Sequence, residues 1–296
     1  MIGSSRLLLK EFLRKAGNMK RSTRLFIDLL VPAFMLIGIA GSPALSLGGT
    51  AYAAVREEAV IYRDGDTVMN GFIVYDDASR TKRPGIVVVH DWWGITKHMH
   101  DEARKYAGQG YTVFVADMYG NGKTADNPKD ARDLLFALRE NPATMHSRFN
   151  AAKETLSKHA TVDASRIGAM GYSLGAQVVL EMARVGSDLK GVVAYYTAAI
   201  GPLVSPAVAG KVKSKVLVLN GEADPNIKPD SIDAFKKEMA AAKVDYRYVS
   251  YPGAVHAFND PEADAKGKQF NIPFAYHPDA AKKSTAEVVK FFKDIF

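Results

Sequence analysis

Cysteine is absent from the 296-residue chain. That absence excludes disulfides, thiolate metal sites, a cysteine nucleophile and a lipid-modified N-terminal cysteine. There is no Arg-Arg pair, no Walker loop and no G-x-G-x-x-G stretch, so twin-arginine export and nucleotide binding have no support. Charge of one sign is scarce once position is considered. The net charge is +7, but seven basic against two acidic residues precede Ala54 and account for five of those charges. The remainder is close to neutral, so the basic excess belongs to a leader-like segment and is no nucleic-acid footprint. Hydrophobic residues at 47% and charged residues at 24% are ordinary for a globular chain, which rules out disorder and coiled coil.

The leader-like segment has three parts. Met19, Lys20, Arg21 and Arg24 are basic or open the basic stretch, Leu29–Ala40 is apolar, and a small-residue tail ends in Ala51-Tyr52-Ala53. This is the layout of a secretory signal with an A-x-A cleavage site. Met19 reads as an alternative start. The apolar part has 12 residues, against the roughly 20 needed to span a bilayer, and Asp28 and Pro32 interrupt its surroundings. Two readings stand: a cleaved signal leading to a periplasmic or secreted protein, and an uncleaved anchor that is the only membrane contact. Residues 1–53 are thus read as extension and signal, and 54–296 as one domain.

Within that domain the hydrophobic period alternates between strand and helix. Val55–Tyr62 and Thr67–Tyr75 predict a hairpin around Asp64-Gly65. Pro84–Val89, Tyr111–Ala116, Arg166–Gly171, Gly191–Tyr195, Lys215–Asn220 and Tyr246–Tyr251 predict further strands. Helices are predicted after Thr96, Asn127-Pro128 and Asn141-Pro142, over Leu174–Val185 and Pro229–Ala242, and at the C-terminus behind a Ser284/Glu287 capping box. Such alternation predicts an α/β fold, a mostly parallel sheet with helices on both faces and an antiparallel N-terminal hairpin.

Gly171-Tyr172-Ser173-Leu174-Gly175 is a G-x-S-x-G motif. Alone it is a weak signal. Between a strand and a helix it is a stronger one, because a serine on a tight strand-to-helix turn presents its hydroxyl at the sheet edge. A serine hydroxyl needs a base. Asp224 and His256 lie just beyond the ends of two later strands, where an open sheet builds its sites, and they follow Ser173 in the order acid, then histidine. Glu222 is the rival acid and His277 the rival histidine. His98 and His100 flank Met99, but on a helix they point apart, so no metal is expected. No cofactor is expected either. The backbone N–H groups of Leu174 and Trp92 are the candidate oxyanion donors. Asp91, Trp93, Tyr172 and Lys123 are candidate pocket residues.

The segments PGIVVVHDWWG, VFVADMYG, DASRIGAMGYSLG, VLNGEADPNI and YPGAVHAF, in this order, resemble the dienelactone hydrolase family of α/β-hydrolases. The resemblance implies the α/β-hydrolase fold and hydrolysis of a small-molecule carboxylic ester or lactone. Type members use Cys, His and Asp. Ser173 stands at the cysteine position, which implies a serine esterase triad. Asp91 stands where the family has an acidic residue beside the oxyanion donor. Where type members carry an arginine for the substrate carboxylate, this chain has Asn121, Gly122 and Lys123. A peptidase or other acyl hydrolase on the same fold and a non-catalytic binding module are the alternatives. Oligomeric state leaves no mark in the sequence.

Overall fold

A computed structural model describes residues 55–296; the leader-like segment and its cleavage site lie outside them. β1 (Val55–Asp64) and β2 (Thr67–Asp76) form the expected antiparallel hairpin, with Asp64 opposite Thr67. Its two-residue turn is therefore Gly65-Asp66, one position later than the sequence suggested. Gly65 adopts φ +55° there, which glycine alone reaches without steric cost.

The chain then alternates: β3 (Arg83–Val89), α1 (Lys97–Ala107), β4 (Thr112–Ala116), α2 (Pro128–Arg139), α3 (Pro142–Ser157), β5 (Val162–Tyr172), α4 (Leu174–Arg184), β6 (Gly191–Tyr195), β7 (Lys215–Gly221), α5 (Pro229–Ala241), β8 (Tyr246–Tyr251), α6 (Ala263–Phe270) and α7 (Pro278–Ile295). The sheet order is β1-β2-β4-β3-β5-β6-β7-β8. β2 meets β4 antiparallel, and every pairing from β4 through β3 to β8 is parallel. The parallel strands therefore all end at the same edge.

Side-chain alternation feeds two cores from one sheet. Val87 and Val89 of β3 pack with Leu138, Phe149, Val178 and Phe235 from helices α2 to α5. Ile86 and Val88, pointing the other way, pack with Met99 and Tyr106 of α1 and Val288 and Phe292 of α7. Each fully buried aliphatic of this kind contributes roughly 1.5–3 kcal/mol, so the continuous apolar strands demand helices on both faces.

Helix starts follow local chemistry. Asn127 accepts hydrogen bonds from the N–H groups of Lys129 and Asp130, and Asn141 from that of Thr144, each with Pro at the first helical position. Caps of this type contribute about 1 kcal/mol. Thr96 precedes α1, yet its hydroxyl makes no capping bond. The Ser284/Glu287 capping box does not form. α7 starts at Pro278, with the His277 side chain accepting from the Ala280 N–H, and Ser284 is a buried residue inside the helix. A proline preset for the first turn overrides the later box. α6 was not predicted from sequence.

α4 is buried on all sides rather than on one face. The segment after β6 covers its outer side. Arg184 bonds both carboxylate oxygens of Glu238 (2.8 and 2.9 Å) and the Ile200 carbonyl (2.6 Å), while Glu181 accepts the Leu203 N–H (3.1 Å).

Candidate active site

Ser173 sits between β5 and α4 with φ 51° and ψ −104°, a backbone that a non-glycine residue rarely adopts. Two glycines make that turn possible. A Cβ on Gly171 would lie 2.0 Å from the Gly175 carbonyl oxygen, and one on Gly175 would lie 2.2 Å from the Val89 carbonyl oxygen. Strand and helix thus approach at backbone contact, and the turn lifts the serine to the carboxyl edge of the sheet. The N-terminus of α4 adds partial positive charge at the same point.

The loop after β7 brings Asp224 and the loop after β8 brings His256. His256 Nε2 lies 2.8 Å from Ser173 Oγ, and His256 Nδ1 lies 2.7 Å from Asp224 Oδ2. The other Asp224 oxygen accepts the Asn226 N–H at 2.9 Å, so the carboxylate is satisfied and fixed. Tyr196 meets the imidazole edge-on at 5.1 Å and Phe274 lies 5.0 Å from it, both measured between ring centres. All three of Ser173, Asp224 and His256 are buried. Of the rivals, Glu222 is exposed and His277 is occupied as the α7 cap.

Trp92 and Ser173 line one cleft of about 200 Å³, with Leu135, Arg139, Gln177, Ala198, Ala199, Asn226, His256 and Phe274. The N–H groups of Leu174 and Trp92 find no acceptor among the described residues. The four other pocket candidates do not line this cleft. Asp91 turns inward, accepts the Trp93 N–H at 2.8 Å and is held above the usual carboxylate range by burial. Trp93 is buried under Trp92 and beside Phe270. Tyr172 points into the α1 side of the sheet and donates to Glu102 at 2.6 Å; burial lifts its pKa well above the ordinary value. Lys123 is exposed beside a different groove with Asn70, Phe72 and His100. The Asp117 carboxylate accepts the N–H groups of Asn70, Tyr119, Gly120 and Gly122, and so curls that loop towards β2. His98 is buried near Asp260, whereas His100 bonds Glu57 and stacks on Phe72.

Sequence reasoning missed the walls contributed by α2 and by Phe274. Leu135 and Arg139 lie four residues apart on one helix face, but nothing local says that this face looks at Ser173. Phe274 pairs with His256 in an isolated parallel bridge from a segment beyond α6.

A parallel sheet carrying a strand–serine–helix turn, with acid and histidine on the loops after its last two strands, defines an α/β-hydrolase. A sequence profile of the dienelactone hydrolase family matches residues 69–296, and the chain belongs to that family; it is a hydrolase of the ester- and lactone-cleaving kind. Among solved structures it is similar to a dienelactone hydrolase-like promiscuous phosphotriesterase, P91, from metagenomic libraries: 29% identity, TM-score 0.75, covering 82% of this chain and 99% of that one. It is 26% identical to the protein Usf of Aquifex pyrophilus over 71% of this chain and 88% of that protein. It is 25% identical to a Yersinia pestis protein provisionally named a carboxymethylenebutenolidase, over 79% and 86% respectively.

Proposed function

We propose that the chain cleaves a small carboxylic ester or lactone through Ser173, His256 and Asp224 and a covalent acyl-enzyme. The observation that carries this reading is the unbroken line from Ser173 Oγ through both imidazole nitrogens to Asp224, at 2.8 and 2.7 Å. Ser173 Oγ attacks the carbonyl carbon while His256 Nε2 takes its proton. The tetrahedral oxyanion is held by the N–H groups of Leu174 and Trp92. His256 returns the proton to the leaving alkoxide, and the acyl group stays on Ser173. Water, deprotonated by the same imidazole, then releases the acid. Asp224 keeps Nδ1 protonated and stabilises the imidazolium. A lactone follows the same steps, its ring oxygen leaving as the alcohol of the acyl group. The 200 Å³ cleft with small walls at Ala198 and Ala199 suits short acyl groups.

Ser173→Ala is the test. It is expected to lower kcat for short-chain esters by about 10⁴-fold or more and to abolish the mass shift left by a fluorophosphonate. Wild-type turnover in that variant would end the proposal. Export rests on residues 19–53, and N-terminal sequencing of the mature protein is expected to begin near Ala54; an intact leader in the mature protein would favour the anchored form.

A further inference from the structure

His90 is a fully buried imidazole that the mechanism above does not use. It follows β3 and precedes the tryptophan whose N–H is the second oxyanion donor. Both its nitrogens are engaged. The Met118 N–H points at Nε2 (3.2 Å), so Nε2 must offer a lone pair. The proton is therefore on Nδ1, which donates to the Asp91 carbonyl at 2.6 Å. Burial lowers the pKa of this imidazole and keeps it neutral, so the assignment holds around neutral pH.

The Asp91 carbonyl belongs to the same peptide group as the Trp92 N–H. All described peptide bonds are trans, so this carbonyl and this N–H point in opposite directions. Fixing one aims the other. The rest of the loop is pinned as well. The Trp92 carbonyl accepts from Tyr119 OH (2.9 Å), and the Tyr119 ring lies 4.8 Å from the His90 ring. The Trp93 N–H goes to the Asp91 carboxylate, the Gly94 N–H to the Asp91 carbonyl and the Trp93 carbonyl accepts the Ala125 N–H. Of the three backbone N–H groups from Trp92 to Gly94, only that of Trp92 is left without an acceptor among the described residues.

We propose that His90 is a positioning residue: its Nδ1–H holds the Asp91 carbonyl and thereby aims the Trp92 N–H at the oxyanion formed on Ser173. The same bond polarises the amide and makes that N–H a better donor. This inference rests on the reading of Ser173 as nucleophile and Trp92 N–H as oxyanion donor.

Two variants separate positioning from packing. His90→Asn keeps an N–H close to the Nδ1 position and loses the acceptor for Met118. His90→Phe keeps the ring against Tyr119 and loses both bonds. Each leaves the Met118 N–H unpaired, so both are expected to unfold at similarly lowered temperatures. The Phe variant is expected to lose about tenfold to hundredfold in kcat with KM within about threefold, below the 10²–10³ that removing a whole donor costs. The Asn variant is expected to stay within about threefold of wild type. Equal kcat in the two folded variants overturns the proposal, as does a loss confined to KM. If the Phe variant does not fold, His90→Ala takes its place as the variant without a donor. Ser173→Ala assayed in parallel keeps the two questions apart: its full activity would remove the nucleophile, whereas its inactivity beside a fully active Phe variant would remove only the role of His90.

Discussion

The β1–β2 turn and the β5–α4 turn both place a residue at φ near +50°, and they do so for opposite reasons. At Gly65 a Cβ would meet nothing within 4 Å, and the residue is the one type for which the conformation is free. At Ser173 the residue is a serine, the conformation is strained, and a Cβ on either flanking glycine would meet backbone oxygen at 2.0 or 2.2 Å. The hairpin uses glycine to relieve a turn. The elbow uses glycines on either side to impose one, and the strain falls on Ser173, whose hydroxyl meets His256. Strain persists at such a point only because the surrounding packing over-determines it.

Four experiments press on this contrast, from the largest expected effect to the smallest. Asp224→Asn leaves the elbow untouched and reverses the preferred tautomer of His256; kcat is expected to fall by about 10⁴, and a change under tenfold in steady-state ester hydrolysis would detach Asp224 from the mechanism. Gly171→Ala drives a methyl into the Gly175 carbonyl, where only backbone could move. Urea unfolding is expected to show a loss of at least about 3 kcal/mol, and a wild-type midpoint would show that the elbow is not at backbone contact.

Asp91→Asn tests the loop facing the elbow. Burial raises the Asp91 pKa against the opposing pull of Lys266 and of the Trp93 N–H that its carboxylate accepts. A raised carboxyl contributes stability at low pH that is lost as pH rises from the usual aspartate range through its folded value. The Asn variant is therefore expected to gain in Tm over wild type at pH 7 relative to pH 4. His90 carries the opposite sign. Its lowered pKa gives stability that is present above the ordinary histidine value and lost as pH falls through the folded one. A Tm difference between Asp91→Asn and wild type that is flat over this range would contradict the buried carboxyl. Last, Gly65→Ala adds a methyl to open space at φ +55°, and only the backbone term of about 1 kcal/mol should appear, with kcat unchanged; a larger loss would mean that the hairpin turn is packed.

Much of the fold was legible because hydrophobic period and punctuation agree locally. The apolar runs from Pro84 to Val89 and from Lys215 to Asn220 became strands buried on both faces, and the Asn-Pro pairs at 127 and 141 became helix starts. Where two local signals competed the reading failed: Ser284 with Glu287 matches a capping box, but His277-Pro278 starts the helix earlier and Glu287 pairs with Arg247 instead. β5 also begins at Val162, before the apolar run that announced it, because Val162 pairs with Arg83 ahead of an irregularity after which the register resumes at Gly85 and Ile167. At the candidate site, order and loop position singled out Ser173, Asp224 and His256, which the structure joins by hydrogen bonds. The lining was not. Tyr172 and Lys123 lie beside legible motifs yet face away, and Arg139 and Phe274 reach the cleft from distant segments.

What the chain determined by itself is therefore a set of local facts: which stretches extend or coil, which turns need glycine, and which three side chains have the right chemistry at strand ends. Tertiary structure alone decided which helix face walls the cleft, which tryptophan is buried and which lines it, and that His90 stands behind the Asp91–Gly94 loop. Local preferences act over a few residues along the backbone. Contacts such as His90 with Met118 and His256 with Ser173 join positions 28 and 83 residues apart, and they exist only once the sheet has set its order and register.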